Sequence, residues 1–508
     1  MGTKANLFEI DDLFHSPQGN ISRLAEMQVH LYRHEPALQD YFYALDLDVF
    51  GRPRDPNQER RRISKLKAWS VQAVGQASRF VRPRRIKTDV LYSPTLYFGR
   101  NSEVSLLKKT LFGLAEAGAE VLCLLPVHAP FRQELTAELE AAGYAKQVTF
   151  LDPAFPMNQV DARTRPSASR SRGHLAFAKA VEILEPHGLT PTRWALPDFE
   201  RSAEYIEAWE RLAPSIEFGA VVARCHWYDL SSPICRTGLE RGGPVITFQQ
   251  GVVDHTLDVP ITASKFVAFG ASSVSVLAEA NRRFSDAVRS PKRPAEYIPA
   301  GSLFDVITKL PDQFSLQSLL LVDSHSVARD PWGTGKEAIA LVDLAERVLK
   351  AKLPLKRLII RPHPHWTSHD LSACLRLGRE YRDVCELSHP VWPLEDDLGR
   401  ATMVAGIASG VLTVASASGL PTIFLRTEGG FRIQDLECFA PEQTLLPDEA
   451  FRRISQLLTD HDAYAEARET AMRNAGNYYE KGANAVLNGA FFTSLLNVPM
   501  KAVEDDAR

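Results

Sequence analysis

The sequence predicts an α/β protein made of two consecutive Rossmann-like halves with a helical extension ahead of them. Three observations carry that expectation. Short apolar runs alternate with amphipathic stretches of helical period from residue 88 onward, the pattern of parallel βαβ units. Several runs end in a turn bearing Gly, Pro or Ser, and the alternation starts again near Ser315. A chain of 508 residues also exceeds what one hydrophobic core holds. The expected division is 1–87 as a helical, basic extension, 88–302 and 303–480 as the two halves, and 481–508 as a terminal helix and tail.

The extension reads as helical over 25–45 and then turns basic. Residues 52–87 hold twelve Lys and Arg against only Asp55 and Glu59, with Trp69, Val71, Val74 and Phe80 at roughly helical spacing. A solvated helix capping the next domain accounts for such a run; the functional alternative is a basic surface for anionic lipid head groups or a polyanionic glycan. In the first half, 88–94, 120–127, 218–227 and 244–252 read as strands, and 105–119 as a helix. The polar, basic stretch 163–173 reads as an exposed mobile loop. In the second half, strands are expected at 318–325, 357–366, 403–410 and 421–426, a helix at 336–352, and further helices over 448–496.

Composition narrows the function classes. The chain is 45% hydrophobic and 24% charged with a formal net charge of −3, which gives no reason to expect a nucleic-acid partner. Its six cysteines are scattered without a CxxC pair or metal-ligand spacing, as free thiols in a reducing compartment would be. The opening residues 1–14 carry acids where a secretory signal needs an apolar core, and Asn6 breaks a myristoylation pattern. No apolar run is long enough to span a bilayer. The expected location is the cytoplasm, with contact to the inner membrane face as a second expectation through residues 52–87.

Two segments carry chemistry. Arg361-Pro362-His363-Pro364-His365-Trp366 follows the apolar Leu358-Ile359-Ile360, so it sits at the carboxyl edge of a sheet, where open α/β folds bind ligands. Its prolines fix φ and stiffen the turn, which can aim the His363 imidazole and a bidentate Arg361 guanidinium at a phosphate. A proline-rich loop with backbone-bonded histidines is the plain alternative, and for His365 the two readings balance. The second segment is Ile407-Ala408-Ser409-Gly410-Val411-Leu412-Thr413, a small-residue helix start whose free N–H groups and dipole favour phosphate. Ser416 and Ser418 read as packing residues, and Ser409 and Gly410 as ligand candidates.

Together, in this order, the segments give the second half a resemblance to bacterial capsule-polysaccharide transferases of the GT-B type. That group includes transferases of 3-deoxy-manno-octulosonic acid, sialyl- and polysialyltransferases and polyglycerolphosphate transferases. Its His-Pro motif is matched by His363-Pro364, and its hydroxyl pair, Ala and Gly-x-Pro by Ser409-Gly410, Ala415 and Gly419-Leu420-Pro421. The likeness reaches back through Phe248-Gln249-Gln250-Gly251-Val252, Ala263 to Gly270, and Gly301-Ser302, so it covers about 245–425. Three positions depart from the pattern: Gln250 stands where relatives often carry His, Gly410 replaces the second hydroxyl, and Val414 stands where many GT-B enzymes have Glu.

The resemblance implies a GT-B-like fold with two Rossmann-like domains facing across a cleft. It also implies a nucleotide sugar, CMP-linked favoured, as donor and a glycan or glycolipid as acceptor, with inverting transfer and no cofactor beyond the donor. A helix dipole and basic side chains neutralise the leaving phosphate in such enzymes, so no metal is expected; Asp396-Asp397 reads as a helix start. Arg361, His363, Pro364, Ser409 and Gly410 would hold the donor nucleotide. An inverting transfer needs a base from the first half, and Glu103, His226 and Asp229 lie near its strand ends. A histidine beside Trp227 is also what a packed core position looks like. Gln249, Gln250, Gly251, His255, Ser324 and His325 are expected to line the cleft. The competing functions are polyol-phosphate transfer, a sugar-nucleotide epimerase and a catalytically silent glycan-binding relative.

Overall fold

A computed structural model describes residues 20–42, 44–45, 85–94, 101–125, 131–152, 167–226, 230–249, 251, 260–288, 295–304, 306–322, 336–362, 368–389, 392–407, 409–426, 438–439 and 441–496. The basic stretch at 52–84, and with it most of the segment expected to touch lipid or glycan, lies outside the described residues.

Two parallel sheets organise the chain. The first contains β1 (Ile86–Ser93), β2 (Val121–Leu124), β3 (Val148–Leu151), β4 (Ile216–Ala223), β5 (Val245–Phe248), β6 (Lys265–Ala268) and β7 (Glu296–Pro299). Its strands lie in the order β3-β2-β1-β4-β5-β6-β7. The second contains β8 (Ser318–Val322), β9 (Arg357–Arg361), β10 (Cys385–Leu387), β11 (Met403–Gly406), β12 (Thr422–Leu425) and β13 (Thr444–Leu445) in the order β10-β9-β8-β11-β12-β13. Both follow the doubly wound order in which the direction of strand progression reverses beside the first strand. The reversal falls between β1 and β4 in one half and between β8 and β11 in the other. Such strands are covered on both faces, so they read as unbroken apolar runs: every residue of β2, β5, β8 and β11 is buried.

The helices begin with α1 (Asn20–His34), α2 (Asn101–Glu116) and α3 (Arg132–Ala141), followed by α4 (Ser167–Leu184), α5 (Leu196–Leu212), α6 (Ser231–Glu240) and α7 (Ala271–Val288). The second half adds α8 (Lys336–Lys350), α9 (Ser368–Glu380), α10 (Leu394–Leu398), α11 (Gly410–Ser418), α12 (Pro447–Thr459), α13 (His461–Tyr478) and α14 (Gly489–Leu496).

One expectation is corrected. Residues 167–173 open α4 instead of forming part of a mobile loop. The helix is decided by a crossing: a Cβ on Gly173 would lie 2.5 Å from the Glu200 Cα, so the absence of a side chain lets α4 and α5 meet backbone to backbone. Arg172 then pairs with Glu210 through two bonds of 2.6 and 2.9 Å, which no local pattern announces. Leu24, Met27 and Leu31 of α1 share a core with Ala180 and Leu184 of α4 and Phe199 of α5, two helices inserted between β3 and β4.

The chain's last described elements return to the first half. After α13, the chain bends at Glu480–Gly482, and Ser302 bridges Asn484 in parallel. Leu487 and Phe492 pack into the core that contains Leu106, Leu107 and Leu111 of α2, and the Gly489 N–H donates to Glu116 at 2.9 Å. A terminal unit from 481 is therefore better described as the outer layer of the first half.

Candidate functional site

In the second sheet the register sets Arg361 opposite Val322, and Val322 opposite Gly406. The end of β9 and the helix that follows β11 thus share one carboxyl edge, one on each side of β8. Two strand spacings of about 4.8 Å separate their starting points, roughly 10 Å.

Ser409 caps α11. Its backbone is extended (φ −136°) and its hydroxyl accepts from the Val411 N–H at 3.3 Å. Gly410 is exposed, and among the described residues a Cβ there would meet nothing within 4 Å. The rest of α11 is sunk into the protein: Leu412 to Ser418 are all buried, Ser416 and Ser418 as packing residues. Gly419 ends the helix at φ 91°, a left-handed conformation that explains the Gly of the Gly-x-Pro segment. The buried-side carbonyls are met by a cation: Lys309 donates to Ala417 O at 2.7 Å and to Gly482 O at 3.3 Å, and burial holds its pKa below the usual lysine value. The dipole's negative end is neutralised inside and its positive end stays open.

Arg361 does not present a free fork to a phosphate. Its guanidinium is buried, donating to the Asp397 carboxylate and to Trp392 O at 2.9 Å. Asp397 also accepts from Ser388 Oγ at 2.5 Å and from Arg400 at 2.8 Å, and Arg400 reaches on to Glu386 at 2.5 Å. The reason is electrostatic: a fully buried carboxylate requires cations and donors around it, and Arg361 is the nearest on the strand. Asp397 does lie in a helix start, α10, but its carboxylate serves as the anchor of this cluster. Arg361 therefore ties the end of β9 to α10 and to the residue before Pro393. The i, i+3 pair Asp397–Arg400 was the sequence signal available for this arrangement.

On the first half's carboxyl edge, Ser93, Ala223 and Thr247 are aligned across β1, β4 and β5. His226 follows β4 as expected, yet it is 1% exposed and its ring meets Phe266 edge-on at 5.8 Å. Its ring thus sits at the strand ends, against β6. Gln249 is likewise a brace: its amide donates to Gly251 O at 2.7 Å and Ser273 Oγ at 3.1 Å, and its oxygen accepts from the Phe269 N–H at 2.7 Å. It joins β5 to the start of α7 instead of lining a cleft. Among the described residues, none lies within 4 Å of a Cβ built on Gly251. Glu103 is on the first turn of α2; its side chain lies outside the described residues. So do Asp229, Gln250, His255, Ser324, His325, His363 and Pro364.

Sequence reading missed Arg224. This buried side chain directly follows β4, donates to Gln249 O at 3.1 Å and lies 5.2 Å from the Phe304 ring. An arginine immediately after an apolar strand was the available signal.

The two edges share a seam. Phe269, just past β6, packs against Tyr479 at 5.4 Å between ring centroids and accepts from the Glu480 N–H at 2.8 Å. The Tyr479 hydroxyl in turn meets Thr413 in the first turns of α11 at 2.8 Å. Among the described residues, no group of three or more His, Cys, Asp or Glu is gathered for a metal ion, and no helix is long and apolar enough to cross a membrane.

Two doubly wound parallel sheets whose carboxyl edges meet along one seam define a two-lobed, Rossmann-like α/β protein. No family model matches the chain, and no curated protein does. Among solved structures it is similar to one described as a UDP-N-acetylglucosamine 2-epimerase from Listeria monocytogenes, at 13% identity over 82% of this chain and 98% of that one, with a TM-score of 0.46. It is also similar to Anabaena HepE in complex with UDP-glucose (12% identity, 81% and 100% covered, TM-score 0.45). A third is the wall teichoic acid polymerase TagF (8% identity, 87% and 97% covered, TM-score 0.42).

Proposed function

We propose that the chain is a glycosyltransferase that moves a sugar from a nucleotide-activated donor, CMP-linked favoured, to a cell-surface polysaccharide or glycolipid acceptor. The observation that supports this reading is the common edge: the Arg361 turn and the Ser409–Gly410 helix start flank β8 at the strand reversal of the second sheet. A helix N-terminus with its far end neutralised by Lys309 favours an anion, and His363-Pro364 follows Arg361-Pro362 directly in the sequence.

In the proposed inverting step, a base on the first half takes the proton of an acceptor hydroxyl, whose oxygen bonds to the anomeric carbon. The bond from that carbon to the phosphate oxygen breaks, and its electron pair stays on the phosphate, stabilised by the α11 N–H groups and His363. No metal is required for that charge balance. With His226 packed against Phe266, Asp229 and Glu103 are the bases proposed. Residues 52–87 are the proposed contact with anionic head groups at the inner membrane face, and the location is the cytoplasm. Deleting 52–84 should then abolish sedimentation with anionic vesicles, and unchanged sedimentation would refute the contact.

Calorimetry against cytidine and uridine nucleotides tests the reading, followed by product analysis. A new glycosidic bond supports it; a phosphodiester retained in the product would establish polyol-phosphate transfer instead. Donor turnover without acceptor would indicate an epimerase, and no nucleotide binding a silent relative. His363→Ala should eliminate transfer with the fold intact; normal turnover by that variant refutes the site.

A further inference from the structure

The carbonyls on either side of Gln250 are both held. Gln249 O accepts from the Arg224 guanidinium at 3.1 Å, and Gly251 O accepts from the Gln249 side chain at 2.7 Å. That side chain is fixed in turn by Ser273 Oγ and the Phe269 N–H, and the Gln249 N–H donates to Val267 O at 2.8 Å. Arg224 brings the end of β4 into this set. A turn that merely reversed the chain after β5 would not need bonds from three other elements.

Arg224 stands where a doubly wound sheet organises its ligand edge. Its N–H donates to Ser93 O at 3.1 Å, which carries the β1–β4 pairing one residue past β4, at the reversal of the first sheet. Its guanidinium is 3% exposed and lies over the Phe304 ring, 5.2 Å from the centroid. Filling that space with a charge is costly, since an apolar side chain of similar volume would pack there without the desolvation. What the arginine adds is a donor at the end of a long arm. Phe304 follows β7 and meets Phe269 edge-on at 6.2 Å, and Phe269 leads through Tyr479 to Thr413 of α11. One side chain thus connects the turn after β5 with the seam. Asp229, one of the proposed bases, leaves the same strand end five residues further on.

We propose that Arg224 is a positioning residue for the acceptor side of the transfer. By bonding Gln249 O it fixes the end of β4 to the turn after β5, the two first-half segments that would meet the acceptor hydroxyl. This rests on the transferase reading above and adds to it a residue that touches neither substrate. Preset groups raise the rate without tightening the donor, whose phosphates are assigned to the other half; a misplacement of about 1 Å costs on the order of 100-fold in rate. Arg224 therefore governs turnover and leaves nucleotide affinity alone.

The test measures nucleotide release from CMP-N-acetylneuraminate, UDP-glucose and UDP-N-acetylglucosamine, with calorimetry against CMP and UDP alongside. Arg224→Ala should slow release by about 100-fold and leave both affinities within about twofold of wild type. Millimolar guanidinium chloride should restore most of the lost rate by taking the place beside Gln249 O. A residue that only supported the fold would respond in the opposite sense, because guanidinium weakens folded proteins. Arg224→Lys keeps the charge without the planar fork and should also be slow with affinity unchanged; it carries the test if the alanine variant does not fold. Wild-type rates in either variant, or no recovery with guanidinium, overturn the proposal and leave the transferase reading standing. A loss of CMP and UDP affinity by the same factor as the rate overturns it too, because the effect would then lie in the fold or the donor edge. A wild type that turns over none of the three donors also sinks it, and nucleotide binding then decides the transferase reading on its own.

Discussion

The hydroxyls of Thr413 and Tyr479 meet at 2.8 Å, and through this contact the helix that opens the second half's edge is held to the seam with the first. Thr413 also bonds to Gly410 O at 2.8 Å, so its hydroxyl donates to that carbonyl and accepts from the tyrosine. Removing either hydroxyl takes a hydrogen bond out of a buried setting, which costs about 0.5–1.5 kcal/mol. Thr413→Val and Tyr479→Phe should each destabilise the protein in that range, and the double variant should cost clearly less than their sum. Denaturant titration of the four proteins decides it; strict additivity would show that the contact contributes nothing.

Asp397 is the anchor of the edge behind the candidate site. Asp397→Asn leaves Arg361 buried opposite a neutral amide, and breaking a buried pair in this way costs about 3–5 kcal/mol. The denaturation midpoint should fall accordingly, without a change in slope. A variant as stable as wild type would mean that Arg361 finds another partner.

Gly410 separates stability from binding. Gly410→Asp puts a carboxylate on the first residue of α11, where nothing lies within 4 Å of the new Cβ. The dipole should reward it with about 0.3–1 kcal/mol of stability, while a phosphate approaching the same N–H groups is repelled. Thermal melting and nucleotide calorimetry should move in opposite directions. Unchanged nucleotide affinity would remove the helix start from the site.

The helical lobe should be acid-sensitive through His30. Its ring is buried and stacked on His187 at 3.7 Å, and its pKa is pushed down to about 4, by burial first and then by His187, Arg33 and His34. The folded state therefore holds a neutral imidazole that the unfolded chain protonates near pH 6.5. Between about 6.5 and 4 the unfolded state binds more protons, so this contribution is complete above 6.5 and is lost as the pH falls through 4. His30→Leu should flatten the acid limb of a stability–pH curve; an identical slope would assign the limb to other groups.

Much of the fold was legible residue by residue. The apolar runs at 318–322, 357–361 and 403–406 each became a parallel strand, because a strand covered on both faces has to be apolar along its length. The Pro after Arg361 ended β9, and Ser409 capped the helix it precedes, since both effects act within a few bonds of their cause. Side-chain commitments were less readable. Arg361 and Asp397 are 36 positions apart, His226 and Phe266 forty, and Gly173 and Glu200 twenty-seven. A guanidinium on a strand end looks the same in sequence whether a buried carboxylate or a ligand awaits it.

By itself, the sequence determined the two doubly wound halves, the end of β9 and the capped helix start, because periodicity, proline and capping are local. The tertiary structure decided that Arg361 pairs with the buried Asp397, that His226 lies against Phe266 and that 167–173 is helix. Those outcomes depend on which distant surfaces come together to bury charge and apolar area, and only the assembled sheets supply the partners.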